Sequence, residues 1–137
     1  MSPADEAPEA TPYELLGGLD AVMRLAKRFY DEMEVHEPAL ARLHVCDEEG
    51  HVAKEPRERF ALFLVGWLGG PQDYIRAHGH PRLRMRHARV AVDVAMRDAW
   101  IRAMKRALDA EGVTGEVRAF LDTRFAEVAD FMRNVRE

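Results

Sequence analysis

Apolar positions recur at helical spacing along most of the chain, and no stretch alternates apolar and polar residues as a half-buried strand would. Thr11 to Glu14 forms a capping-box pattern with Pro12 at the first helical position, which predicts a short helix stopped by Gly17-Gly18. Leu19, Val22, Met23, Ala26, Phe29, Tyr30 and Met33 then keep the i, i+3, i+4, i+7 rule, predicting a core-facing helix with Tyr30 on its inner face. Glu37-Pro38 breaks it. Pro38 opens a short helical piece through Leu43 and His44, followed by a polar loop from Cys46 to Ala53. Pro56 opens the next helix, whose Phe60, Phe63, Leu64, Trp67 and Leu68 form an aromatic stripe closed by Gly69-Gly70-Pro71, the natural wall of a pocket.

Gly79-His80-Pro81 forces a turn, and a further helix is expected from Arg82, with Leu83, His87, Val90, Ala91 and Val94 along one face. No Gly or Pro separates it from Trp100, so periodicity alone permits one continuous helix. His87 and Trp100 would then stand about 20 Å apart at ~1.5 Å per residue, too far to share a site. Asp93 is the residue able to cap a new helix instead. Trp100, Ile101, Met104 and Leu108 continue to a stop at Gly112 to Gly115. Val117, Phe120, Leu121, Phe125, Val128, Phe131 and Met132 mark one side of a last helix ending near Asn134.

With 137 residues, 47% of them hydrophobic and 32% charged, the chain suits one domain with a real core. No apolar run is long enough to cross a bilayer. Residues 1–11 read as a disordered tail: MSPADEAPEA is acidic, Pro-rich and lacks the apolar core of an export signal, which leaves the cytoplasm as the expected location. The domain is expected over 12–137. A net charge of −4 gives no reason to expect a nucleic-acid partner, and the single Cys46 excludes an internal disulfide and a thiolate metal cluster. His78 and His80, without a third ligand, make a weak metal signal.

The stretch GHPRLRMRHARVAVDVAMRDAW, residues 79–100, carries the chemistry. His87 lies in an apolar stripe flanked by Arg82, Arg84, Arg86 and Arg89, an arrangement suited to a flat hydrophobic cofactor with a metal centre and two carboxylates. A lone histidine on such a face is more often simply buried in a core. HPRLRMRH followed by RDAW, together with Phe29-Tyr30 and Trp67-Leu68-Gly69-Gly70-Pro71, resembles the group II truncated haemoglobins over about Tyr13 to Asn134.

The resemblance implies an all-α truncated globin fold, a two-over-two helical sandwich, holding one noncovalent haem b (iron protoporphyrin IX), since there is no Cys-x-x-Cys-His attachment motif. It implies His87 as the proximal iron ligand and favours a helix break before Trp100. Tyr30 and Trp100 match the family's distal donors; without it, two packed core aromatics would be the preferred reading. Dioxygen held at such a haem carries partial negative charge, and each charge-assisted bond is worth ~1.5–3 kcal/mol. His44 matches a position where the family carries Tyr, Phe or His. It would donate to ligand or orient the Tyr30 hydroxyl, with an exposed loop histidine as the alternative. Pro56 and Phe60 fall where the distal helix faces the ligand, and the bulk of Phe60 narrows access.

Arg59, Arg84, Arg86 and Tyr74 are candidates to hold the propionates, the bland reading being arginines on a solvated face. Phe63, Leu64, Trp67, Leu68, Met85, Val90 and Met96 are expected to line the haem, a role shared with ordinary packing. The expected function is reversible dioxygen binding, storage or transport by a monomer or weak homodimer. The alternative is a haem redox enzyme acting on nitric oxide or peroxide with an external reductase, since the chain has no flavin or nicotinamide domain of its own.

Overall fold

In the computed structural model, which describes residues 10–82 and 91–135, the first helix begins where the capping pattern places it. Helix α1 (Pro12–Leu16) has Thr11 as N-cap, its hydroxyl accepting from the Glu14 N–H at 3.2 Å, and Gly17 in the left-handed region ends it. The Tyr13 N–H donates to the Leu68 carbonyl at 2.9 Å, which pins α1 against the end of α4 (Lys54–Trp67). Gly69-Gly70 makes that approach possible. A Cβ on Gly70 would lie 2.6 Å from Tyr13 Cδ2 and 2.9 Å from the Val65 carbonyl oxygen, closer than real Cβ atoms come.

Helix α2 (Leu19–His36) buries Val22, Leu25, Ala26, Phe29, Tyr30 and Met33, one unbroken series of three- and four-residue steps. Leu19 and Met23, expected on this face, are exposed instead. Met23 sits one residue, about 100°, round from Val22, and the stripe closes through Leu25 in its place. Helix α3 (Pro38–Ala41) is shorter than the expected reach to His44. Beyond Ala41 the bonding continues only as three-residue turns, Leu43 N–H to Leu40 and His44 N–H to Ala41, each 3.1 Å. Glu37 at this junction takes a bidentate pair from Arg102 at 2.7 and 3.1 Å, tying α3 to α6 (Val94–Ala110). In the following loop Asp47 Oδ1 accepts from the N–H groups of Glu49 and His51, and Cys46 and Val52 form an isolated antiparallel bridge.

Helix α4 starts two residues before Pro56, which sits within the first turn, where the missing N–H costs nothing. Helix α5 (Asp73–His78) is not anticipated from periodicity; at six residues it is too short to show any. The break before Trp100 is present. Asp93 Oδ1 accepts from the Met96 N–H at 2.8 Å, and α6 starts at Val94. Its buried side, Ala99, Ala103, Met104, Ala107 and Leu108, is mostly small and lets α2 pack closely against it.

Helix α7 (Gly115–Phe131) buries Leu121, Phe125 and Ala129, with Met132 beyond its end. Phe120 and Phe131, expected on the buried side, are exposed, because they flank the line through Leu121, Phe125, Val128 and Met132. The helix also ends three residues before Asn134. That residue anchors Val92: its side chain accepts from the Val92 N–H at 2.8 Å and its own N–H donates back to the Val92 carbonyl at 2.9 Å.

Seven helices occur among the described residues. α2 packs on α4 and α6 packs on α7, and the α2 to α6 contact joins the two pairs into the two-over-two sandwich. No described helix is long and apolar enough to cross a membrane.

Candidate functional site

Between the helix pairs lies a cleft of about 500 Å³, counting its open mouth, lined by Tyr30, His44, Phe60, Phe63, Leu64, Trp67, Trp100, Phe125, Val128 and Met132. Its walls are aromatic. Phe63 and Trp67 stack at 6.5 Å, Trp67 and Phe125 at 5.1 Å, and Trp100 meets Phe29 edge-on at 5.1 Å.

Tyr30 is 4% exposed. Edge contacts to Phe29, His44 and Phe60 at 5.2, 5.6 and 5.7 Å fix its ring, and its hydroxyl, which makes no hydrogen bond to another described residue, opens on the cleft. Burial pushes the phenol well above its ordinary range, outweighing the opposite pull of the nearby Arg57 guanidinium. Tyr30 is therefore a neutral O–H donor throughout the physiological range. Trp100, from the second turn of α6, lies against Phe29, Phe60 and Phe125. Its indole N–H likewise has no hydrogen-bond partner among the described residues.

His44 is half-buried in the cleft wall and not an exposed loop residue. Its Nδ1 lies 3.1 Å from the Leu40 carbonyl. A carbonyl only accepts, so this bond puts a proton on Nδ1. Phe60 lies among Phe29, Tyr30 and Trp100, with ring centres 5.1, 5.7 and 6.4 Å away.

The expected lining residues Phe63, Leu64 and Trp67 meet in the cleft. Leu68 is buried behind it and Met96 packs half-buried against the core. Arg59 is paired with Glu55 at 3.0 Å on α4, and Tyr74 is buried with its ring 5.7 Å from Phe63; neither lines the cleft. His36 pairs with Glu32 and His51 with Glu34 on the surface. His87, Arg84, Met85, Arg86 and Val90 lie outside the described residues.

Sequence reasoning read Phe125, Val128 and Met132 only as a helix stripe, and α7 turns them into cleft wall. It also passed over Arg57. The carbon of that guanidinium stands 5.4 Å from the Tyr30 ring centre, on the side occupied by Asp31 and Glu34.

These residues fit a haem. Flat aromatic walls suit a macrocycle, and Tyr30 and Trp100, each carrying one polar hydrogen, reach the cleft from separate helices. A two-over-two helical sandwich around such a cleft defines a globin. The sequence profile of the bacterial-like globin family matches residues 11–134. The chain is 36% identical over 126 residues to the group 2 truncated haemoglobin YjbI of Bacillus subtilis, covering 92% of this chain and 90% of that one. Among solved structures it is similar to the cold-adapted truncated haemoglobin of Pseudoalteromonas haloplanktis, with 38% identity, a TM-score of 0.84 and coverage of 93% and 100% of the two chains. It is likewise similar to the group II truncated haemoglobin of Bacillus anthracis, with 32% identity, a TM-score of 0.85 and 96% of both chains covered. The chain belongs to the bacterial-like globins, as a group II truncated haemoglobin. Membership implies haem as cofactor and diatomic molecules as ligands.

Proposed function

We propose that this chain binds one b-type haem noncovalently and holds dioxygen reversibly, with His87 as the proximal ligand and Tyr30 and Trp100 as hydrogen-bond donors to the distal ligand. The observation that carries the reading is the Tyr30 hydroxyl, a donor with no hydrogen bond to another described residue, in a cleft walled mainly by aromatic and aliphatic side chains. Haem, when bound, supplies an iron centre that takes a diatomic ligand. Phe60, Phe63, Leu64 and Trp67 give the ligand side an apolar wall. Burial keeps the proton on Tyr30 Oη, and Trp100 Nε1 holds its own at every accessible pH. His44, its Nδ1 donating to the Leu40 carbonyl, sets its ring edge-on to Tyr30 at 5.6 Å and so helps fix the ring that carries the hydroxyl. Arg84 and Arg86 are the proposed propionate holders; Arg59 becomes available only by leaving Glu55.

Reconstitution with haem should give a Soret band and a five-coordinate ferrous spectrum that His87→Ala loses. An unchanged His87→Ala spectrum would remove the central assignment. Mixing the oxygenated protein with nitric oxide and a reductase should give a single turnover; sustained turnover would replace dioxygen carriage with redox catalysis as the function.

A further inference from the structure

The distal donor Tyr30 does not end at the cleft. Behind its ring, α2 and α4 build an ion cluster around Arg57, whose side chain is only 22% exposed. Arg57 Nε donates to the Val52 carbonyl at 3.0 Å, one terminal nitrogen to Asp31 Oδ1 at 3.1 Å, and the other to Glu34 Oε1 at 2.6 Å. Glu34 also accepts from the Val52 N–H at 2.7 Å and faces His51 Nδ1 at 3.0 Å, while Asp31 takes a second cation, Lys27, at 2.9 Å. Three anchors of different direction leave the guanidinium plane no freedom, which only a planar fork achieves. It is fixed with its carbon 5.4 Å from the Tyr30 ring centre, inside the ~6 Å range of a cation–π contact.

We infer that Arg57 is a positioning residue for the distal pocket: clamped by Asp31, Glu34 and Val52, it holds the Tyr30 ring at a fixed setting and draws electron density from it. The hydroxyl on the cleft side thereby becomes a stronger and better aimed donor. A ligand that accepts a hydrogen bond feels this; a weakly polar one of the same size does not. Arg57 thus acts on discrimination between dioxygen and carbon monoxide from outside the cleft. The inference rests on the reading of Tyr30 as a ligand donor.

The test uses the full-length, haem-loaded protein with Arg57→Gln, which removes the charge, and Arg57→Lys, which keeps the charge but loses the fork. Dioxygen dissociation should speed up on the order of three- to tenfold in Arg57→Gln and by less in Arg57→Lys, with carbon monoxide dissociation changed less than about twofold. Where Arg57→Gln fails to fold, Arg57→Lys decides, and an unaltered ratio of the two off-rates in it overturns the inference. In a Tyr30→Phe background the Arg57 change should have no further effect. An equal effect there would mean that Arg57 merely stiffens the region, and the inference would fall.

A second readout needs no ligand kinetics. With tyrosines labelled at the ring carbon bearing oxygen, the Tyr30 resonance, assigned by its loss in Tyr30→Phe, should move in both Arg57 variants while those of Tyr13 and Tyr74 stay. No movement of that resonance overturns the inference. Should Tyr30→Phe itself leave dioxygen dissociation unchanged, the donor reading fails and takes this one with it. Acceleration by Tyr30→Phe but not by the Arg57 variants removes the role of Arg57 alone.

Discussion

Replacing Trp100 with Phe separates shape from hydrogen bonding in the cleft. Phe retains a six-membered ring among Phe29, Phe60 and Phe125, whose centres lie 5.1, 6.4 and 5.8 Å from the indole, while deleting its only polar hydrogen. That hydrogen has no partner among the described residues, so its loss orphans no acceptor there, and any effect comes from the ligand. A charge-assisted bond is worth ~1.5–3 kcal/mol, which at about 1.4 kcal/mol per decade predicts a roughly ten- to hundredfold faster dioxygen off-rate. Carbon monoxide, much less polar when bound, should leave at nearly its original rate. The assay is paired dissociation of both gases from wild type and variant by ligand replacement in a stopped-flow instrument. Equal acceleration of the two would show that Trp100 works as an aromatic plug, and the polar account of this pocket would have to be given up.

The cap at Asp93 should matter to stability: Asp93→Ala loses the bond to the Met96 N–H and is expected to cost about 1 kcal/mol in urea denaturation, with Asp93→Asn close to wild type. Equal losses in both variants would mean that the carboxylate charge, and not the cap, is what counts. The cluster around Glu34 should shape stability against pH. Burial pushes the Glu34 carboxyl up, but bonds from the Val52 N–H, Arg57 and His51 outweigh it and hold the group below its ordinary range. Its contribution is therefore present above the unfolded value of ~4.3 and is lost as pH falls through the lower folded one. His51 is raised, chiefly by its bond to Glu34, so its contribution is present below ~6.5 and is lost as pH rises through the higher folded value. Melting temperature followed from acid to alkaline pH should show Glu34→Gln flattening both limbs; curves parallel to wild type would refute the coupling.

The helices that could be read from sequence are those long enough to carry a period. Even there the pattern gave a face and not its edges: Met23 and Phe120 are as apolar as their neighbours, and only the position of the packing helix decides that they stay in water. The same limit applied to Phe125, Val128 and Met132, legible as apolar but not as cleft wall. Asp93 could be named as a candidate cap because a cap is a local bond three residues in span, but periodicity equally allowed an unbroken helix and the family resemblance favoured the break. Tyr30 and Trp100 stood out through the family resemblance, since spacing alone does not distinguish a donor in a pocket from an aromatic in a core. Arg57 was hidden because its carboxylate partners lie 23 and 26 residues earlier, on another helix.

The two proposed donors come from different helix pairs, Tyr30 from the α2–α4 pair and Trp100 from the α6–α7 pair. Their separation is thus a property of the core and not of any loop. It is set where Val22, Leu25, Ala26, Phe29 and Met33 meet Ala99, Ala103, Met104, Ala107 and Leu108, nearly all of them fully buried. Small residues on α6 bring the helices close, and close-packed interiors resist displacement. Donors mounted in this way need not reorganise when a ligand arrives, and pre-organised dipoles cost least at the moment of binding. The other flank is held by separate means. Val92 is tied to Asn134 from both sides and Asp93 caps α6, so the residues that follow the His87 segment are anchored to the end of α7 and the start of α6. The placing of Tyr30 and Trp100 and the anchoring of Val92 and Asp93 consequently answer to different parts of the sequence, and a change in one need not disturb the other.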